Sequence, residues 1–213
     1  MSTSLLLLIV SNVLMSYKGF SDIRFFDQYK FSVLGVQQRD YYRLLSSGFL
    51  HVDATHLLFN MFALYIFGDV VIQITGVILL VLIYILSLLA GNYFTFINHK
   101  NEPGYTAVGA SGGVSGIVYS SILLFPQMKL ALLFVPIPMP GYVFGTLYLL
   151  YSLFGMKRRR DNIGHTAHFG GAVSGFIITL FIYPSLVYKQ TTLVLVMMIP
   201  LIVYIVMKRN GNL

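Results

Sequence analysis

Two stretches far apart in the chain hold the residue types that hydrolysis needs: Ser111, in Gly109-Ala110-Ser111-Gly112-Gly113, and His168, in Gly164-His165-Thr166-Ala167-His168-Phe169-Gly170-Gly171. A serine hydroxyl is a weak nucleophile until a base takes its proton, and imidazole suits that task near neutral pH. The small residues around Ser111 leave its hydroxyl uncovered. The apolar run Val108–Phe125 surrounds it. A helix starting there would aim its free N–H groups and positive dipole end at the serine. Such donors stabilise a developing oxyanion. Alone, the same string also serves as a small-residue helix contact.

Further polar groups share the pattern. His56 and Asn60 are four residues apart and therefore lie on one helix face. If the spans alternate in direction, all five histidines (His51, His56, His99, His165 and His168) fall on one membrane face. Polar groups there cost free energy unless paired or functional, so the clustering points to a site. Gly112-x-x-x-Gly116 and Gly171-x-x-x-Gly175 have the spacing that lets two helices approach closely, as a Ser–His hydrogen bond requires. The bland reading of each histidine or of Asn60 is a helix–helix hydrogen bond. His51, His56, His165 and His168 could instead hold a metal, but no HExxH is present, so no metal and no cofactor are expected.

These residues must be positioned by membrane-spanning helices. The 213 residues are 57% hydrophobic and 10% charged, with a mean hydropathy of +0.79. Charges bound seven neutral windows: Met1–Tyr17, Ala54–Gly68, Val70–Asn98, Pro103–Met128, Leu130–Met156, Asn162–Tyr188 and Gln190–Met207. Seven spans in one domain are expected, the first two borrowing flanking residues. Met1–Tyr17 lacks a basic leader and a good cleavage site, so it is kept as a span. Lys18–Ser47 mixes charges with aromatics and reads as a folded loop lying in the interface. Val135-Pro136-Ile137-Pro138-Met139-Pro140 cannot be helical throughout. Cysteine is absent, which excludes disulfides and thiolate chemistry. The net charge of +7 suits anionic lipid and not nucleic acid, because no soluble basic face exists to carry it. A transporter would need ionisable residues along the middle of several spans, and these are missing.

His51-x-x-x-x-His56-x-x-x-Asn60, Gly109-Ala110-Ser111-Gly112 and Ala167-His168-Phe169-Gly170-Gly171 together resemble the rhomboid family of intramembrane serine proteases, over about Tyr42 to Gly175. The resemblance implies an all-α polytopic fold with a six-helix core and, here, one extra C-terminal helix. The corresponding divisions are a first span at 1–18, an interfacial loop at 19–48, spans two to six at 49–186 and the extra span at 190–208. It implies Ser111 as nucleophile and His168 as general base. His56, Asn60 and the Ser111 N–H would hold the oxyanion, with Gly109 and Gly112 as support and His51 and Ser115 as secondary members. The family usually carries an aromatic that stacks on the histidine where this chain has Ser115; Phe169 and Tyr119 are the candidates to replace it. Tyr42-Arg43 stands where many members have Trp-Arg. Substrates would be membrane-spanning proteins, and the expected location is the bacterial inner (plasma) membrane. The rival reading is an inactive relative that binds membrane proteins.

Orientation sets two rules against each other. Twelve of the fourteen basic residues fall on the active-site face and only Lys129 and Lys189 on the other. The positive-inside rule would put that face in the cytoplasm. The resemblance implies a cytoplasmic N-terminus and a site opening outside, and that orientation is the one expected.

Overall fold

A computed structural model describes residues 2–132, 135–158 and 163–211. Among the described residues, seven long helices follow the seven windows: α1 (Thr3–Ser21), α5 (Ala54–Thr75), α6 (Val77–His99), α7 (Ser111–Leu124), α8 (Gly141–Arg158), α9 (His165–Ile182) and α11 (Thr191–Arg209). Five of them (α1, α5, α6, α9 and α11) are long and apolar enough to cross a membrane. The α8 helix has 18 residues and ends on Lys157 and Arg158. The α7 helix has only 14 residues. The fold is all-α and polytopic, as the sequence predicts.

Two boundaries differ from those drawn at charges. The α1 helix runs through Lys18 to Ser21, where Asp22 ends it and caps α2 (Ile23–Tyr29) with its side chain. Asp69 does not separate the second and third helices. It lies inside α5, bonded to Gln73 at 2.6 Å, and the break comes at Gly76, whose φ of 81° suits glycine alone. Of the basic run Lys157–Arg160, Arg159 and Arg160 lie outside the described residues.

The connection after α1 is folded, as its aromatics predict. It holds α2, β1 (Phe31–Ser32), α3 (Val33–Gln37), α4 (Arg43–Ser46) and a 3-10 turn, Ser47–Phe49. Arg43 fastens it, donating to the carbonyls of Asp27 and Lys30 at 2.9 and 3.0 Å and to the Asp40 carboxylate at 3.0 Å. Asn92 of α6 anchors its end through Leu44 O (2.7 Å) and Ser47 Oγ (3.1 Å). Strand β1 pairs antiparallel with β2 (Thr106–Ala107), tying the loop to the segment that leads into Ser111. At the opposite end of the helices β3 (Lys129–Leu132) and β4 (Val135–Pro140) form an antiparallel hairpin. A short α10 (Ser185–Lys189) leads into α11.

Helix α7 is the axis of the molecule. Every residue from Gly112 to Leu123 is buried, among α5, α6 and α9. Glycines make that possible. A Cβ on Gly171 would collide with the Gly112 carbonyl, and one on Gly175 with that of Gly116, so the two predicted glycine pairs are where α7 and α9 cross. One turn further, Thr179 Oγ1 is 2.7 Å from Ser120 Oγ, linking two buried hydroxyls that each also reach the carbonyl four residues back in their own helix.

Candidate active site

Fourteen residues at ~1.5 Å each make α7 about 21 Å long, short of a hydrocarbon core of about 30 Å. One of its ends must therefore be recessed, and irregular backbone at that depth has to be enclosed by protein. The segment before Ser111 is enclosed in this way. Gly109 N–H donates to Ser47 O at 3.0 Å, and Ala110 N–H donates to His51 Nε2 at 3.3 Å.

That second bond fixes the tautomer of His51. Since Nε2 accepts, Nδ1 carries the proton and donates to Ser16 Oγ at 2.8 Å, and the Ser16 hydroxyl donates onward to Phe49 O at 3.0 Å. His51 is fully buried, and burial, helped by the charge on His56, pushes its pKa down to about 3. It is a neutral strut between the first helix and the backbone before Ser111. It does not line the cavity described below.

Gly109 has a φ of 135°, which a side chain rarely adopts, and its neighbours leave no room for one. A Cβ there would stand 2.8 Å from His56 Cε1, 3.0 Å from His56 Nε2 and 3.6 Å from Ser111 Oγ. The imidazole of His56 and the hydroxyl of Ser111 thus flank the same glycine. Asp53 caps α5 by accepting from His56 N–H at 2.7 Å, which sets the helix start and hence the direction of the His56 side chain. Asn60 lies one turn on and donates to His56 O at 3.0 Å.

His56, Asn60, Ser111, Ser115 and His168 all line one cavity of about 1240 Å³, together with Tyr148 of α8. His99 and His165 line it too. Gly112 sits apart from it, with its α-carbon side against Ala167 O and Leu88, so its contribution is the approach of α7 to α6 and α9. Among the described residues no group of three or more His, Asp or Glu side chains is gathered as a metal site.

The aromatic expected against His168 comes from neither Phe169 nor Tyr119. Phe169 turns to Phe94 (5.7 Å between ring centroids) and Tyr204 (5.1 Å), and the Tyr119 hydroxyl donates to Gly145 O. The ring that stacks on His168 is Tyr148, at 6.0 Å and 24°. Its hydroxyl is 3.1 Å from Ser115 Oγ. Sequence reasoning missed Tyr148, a tyrosine inside an apolar run with nothing local to mark it. The one available signal was Ser115, whose small side chain leaves space for a ring from elsewhere.

The rhomboid domain model matches residues 38–185. Among similar proteins are RHOMBOID-like protein 12, mitochondrial, of Arabidopsis thaliana (28% identical, covering 78% of this chain and 54% of that protein) and Rhomboid protease AarA of Providencia stuartii (29%, 71% and 58%). The Putative rhomboid protease YdcA of Bacillus subtilis is 28% identical over 68% of this chain and 69% of its own. The chain spans about half the length of the Arabidopsis relative. These relatives are mitochondrial and bacterial, so they do not select the bacterial inner membrane that was expected. A match over most of the chain, on a polytopic helical frame with its histidine- and serine-bearing motifs gathered around one cavity, establishes that the chain belongs to the rhomboid family.

Proposed function

We propose that the chain is one multi-pass membrane domain acting as an intramembrane serine endopeptidase, with Ser111 as nucleophile and His168 as general base. Ser111 Oγ bonds to the scissile carbonyl carbon while its proton passes to His168. The oxyanion so formed accepts hydrogen bonds from the Ser111 N–H, the Asn60 amide and the His56 ring. His168 then gives the proton to the departing amine as the C–N bond breaks, and water hydrolyses the acyl-enzyme by the same route.

The observation that carries this reading is that one cavity is lined by Ser111, His56, Asn60 and His168, at the starts of α5, α7 and α9. It is flanked by Phe59, Ala63 and Phe67 of α5 and by Phe144 of α8, an apolar approach suited to a membrane-spanning substrate. Its polar mouth can admit the water that deacylation needs. The protease-named relatives point the same way.

The test is labelling of the detergent-solubilised protein by a fluorophosphonate, paired with cleavage of a single-pass model substrate. Wild type should label and cleave, while Ser111→Ala should do neither and His168→Ala should not cleave. Neither change opens a large cavity, so both variants should stay folded. Native-rate cleavage by either one would remove the dyad.

A further inference from the structure

In the mechanism proposed above the Ser111 N–H is an oxyanion donor, and the backbone just before α7 sets its direction. Ala110 O accepts from Val114 N–H at 2.9 Å, so the trans peptide turns the Ser111 N–H the other way, out of the helix start. The preceding peptide, between Gly109 and Ala110, hangs on a glycine with a φ of 135°, the residue type least able to restrain its own backbone. A side chain holds that peptide: Ala110 N–H donates to His51 Nε2 at 3.3 Å.

This bond requires an unprotonated Nε2. Neutral imidazole has two tautomers, and the other one would set two N–H groups against each other. Ser16, fully buried on α1, decides between them. Its hydroxyl donates to Phe49 O at 3.0 Å, so its oxygen is left to accept from His51 Nδ1–H at 2.8 Å. Asn12, one turn earlier and equally buried, fastens the same helix at a different point, donating to the Tyr84 hydroxyl of α6 at 3.4 Å.

We propose that Ser16, on the first helix, is a positioning residue for the oxyanion site: it fixes the His51 tautomer that holds the Gly109–Ala110 peptide, and with it the direction of the Ser111 N–H. This rests on the reading of Ser111 as nucleophile and its N–H as oxyanion donor. It gives α1, which supplies no group to the cavity, a part in the chemistry.

Two variants of α1 separate positioning from simple packing. Losing a whole oxyanion donor costs about 10²–10³ in kcat, and loosening one costs less, so Ser16→Ala should lower kcat about tenfold with KM within about twofold. Fluorophosphonate labelling of Ser111 should slow to match. Asn12→Ala, which removes the other buried fastening, should lower the melting temperature and keep kcat within about twofold of wild type. A Ser16→Ala variant that turns over as fast as Asn12→Ala would overturn the proposal.

The tautomer has a readout of its own. In nitrogen NMR spectra of the histidine-labelled protein, with the His51 signals identified by their loss in His51→Gln, His51 should carry its proton on Nδ1 in wild type and lose that single tautomer in Ser16→Ala. A wild-type proton on Nε2 would overturn the proposal even if Ser16→Ala did not fold. The underlying reading fails separately, if Ser111→Ala still cleaves in the same assay.

Discussion

The Thr146 hydroxyl of α8 is 3.2 Å from the Val196 carbonyl oxygen of α11, and the residue four positions after Val196 is Pro200. The two facts are connected. Proline has no N–H, so the carbonyl one turn back loses its helical partner and becomes available to a neighbouring helix. Thr146 shares its proton, since Tyr142 O in its own helix is 2.8 Å away. The rest of the α11 face packs on rings: Tyr204 lies 5.5 Å from Phe94 and 5.1 Å from Phe169, next to His168 in sequence. The extra helix is thus a brace on α8 and α9, the helices that carry Tyr148 and His168.

Pro200→Ala should return a donor to Val196 O and make the Thr146 bond redundant. Thr146→Val alone should cost about 0.5–1 kcal/mol, the usual worth of such an interhelical bond. In the Pro200→Ala background that cost should shrink. A double-mutant cycle on detergent unfolding reads the coupling; strict additivity would mean that Pro200 does not free the acceptor.

His51 makes stability depend on pH. Its folded pKa, near 3, is below the unfolded value of about 6.5, so between those values the unfolded chain binds the proton first. Stability is therefore fully present above about pH 6.5 and lost as pH falls, by up to about 1.4 kcal/mol per unit. Its ionisable neighbours are His56, at 4.9 Å between rings, and Asp53. The melting temperature should fall between pH 7 and pH 4 more steeply for wild type than for His51→Gln, which removes the titrating group. Parallel slopes would show that His51 protonates freely and is no buried strut.

What the sequence disclosed and what it hid divide by distance along the chain. His56 and Asn60, or Gly112 and Gly116, are one helical turn apart, so spacing alone placed each pair on one face. The crossing of α7 and α9 followed because glycine leaves nothing else to pack. Tyr148 and Ser16 act across helices, at 33 residues from Ser115 and 35 from His51, and no local pattern marks such partners. Asp69 misled for a physical reason: one carboxylate near a helix end can be kept in the helix by a neighbour such as Gln73.

Ser115→Phe would add an aromatic to α7 at the position where the family usually has one. Ser115 is 3% exposed and in contact with Tyr148, so a phenyl ring there would drive into the ring already present. Overpacking of this kind costs about 1–3 kcal/mol. Both turnover and melting temperature should fall. Combining it with Tyr148→Ala, which vacates the space, should recover part of each. A single variant with raised turnover and an unchanged melting temperature would show that the site has room for both rings.

Charge and family set opposite orientations for the chain. Lys18, in the last turn of α1, and Lys30 and Arg43, in the first loop, pair with Asp22, Asp27 and Asp40 at 2.9, 2.7 and 3.0 Å. The positive-inside rule counts Lys and Arg near span ends and gives little weight to acids beside them, so these ion pairs do not remove the conflict with the family orientation. Lys157 and Arg158, at the end of α8, keep their place on the active-site face, where they suit anionic headgroups around the cavity mouth. We expect the site to open outside with the N-terminus in the cytoplasm. The chain has no cysteine, so single substitutions at the exposed Asn101 and Gln127, on opposite faces, report directly. In intact cells an impermeant maleimide should label Asn101→Cys and spare Gln127→Cys. The reverse pattern would mean that the twelve basic residues, and not the family, set the orientation.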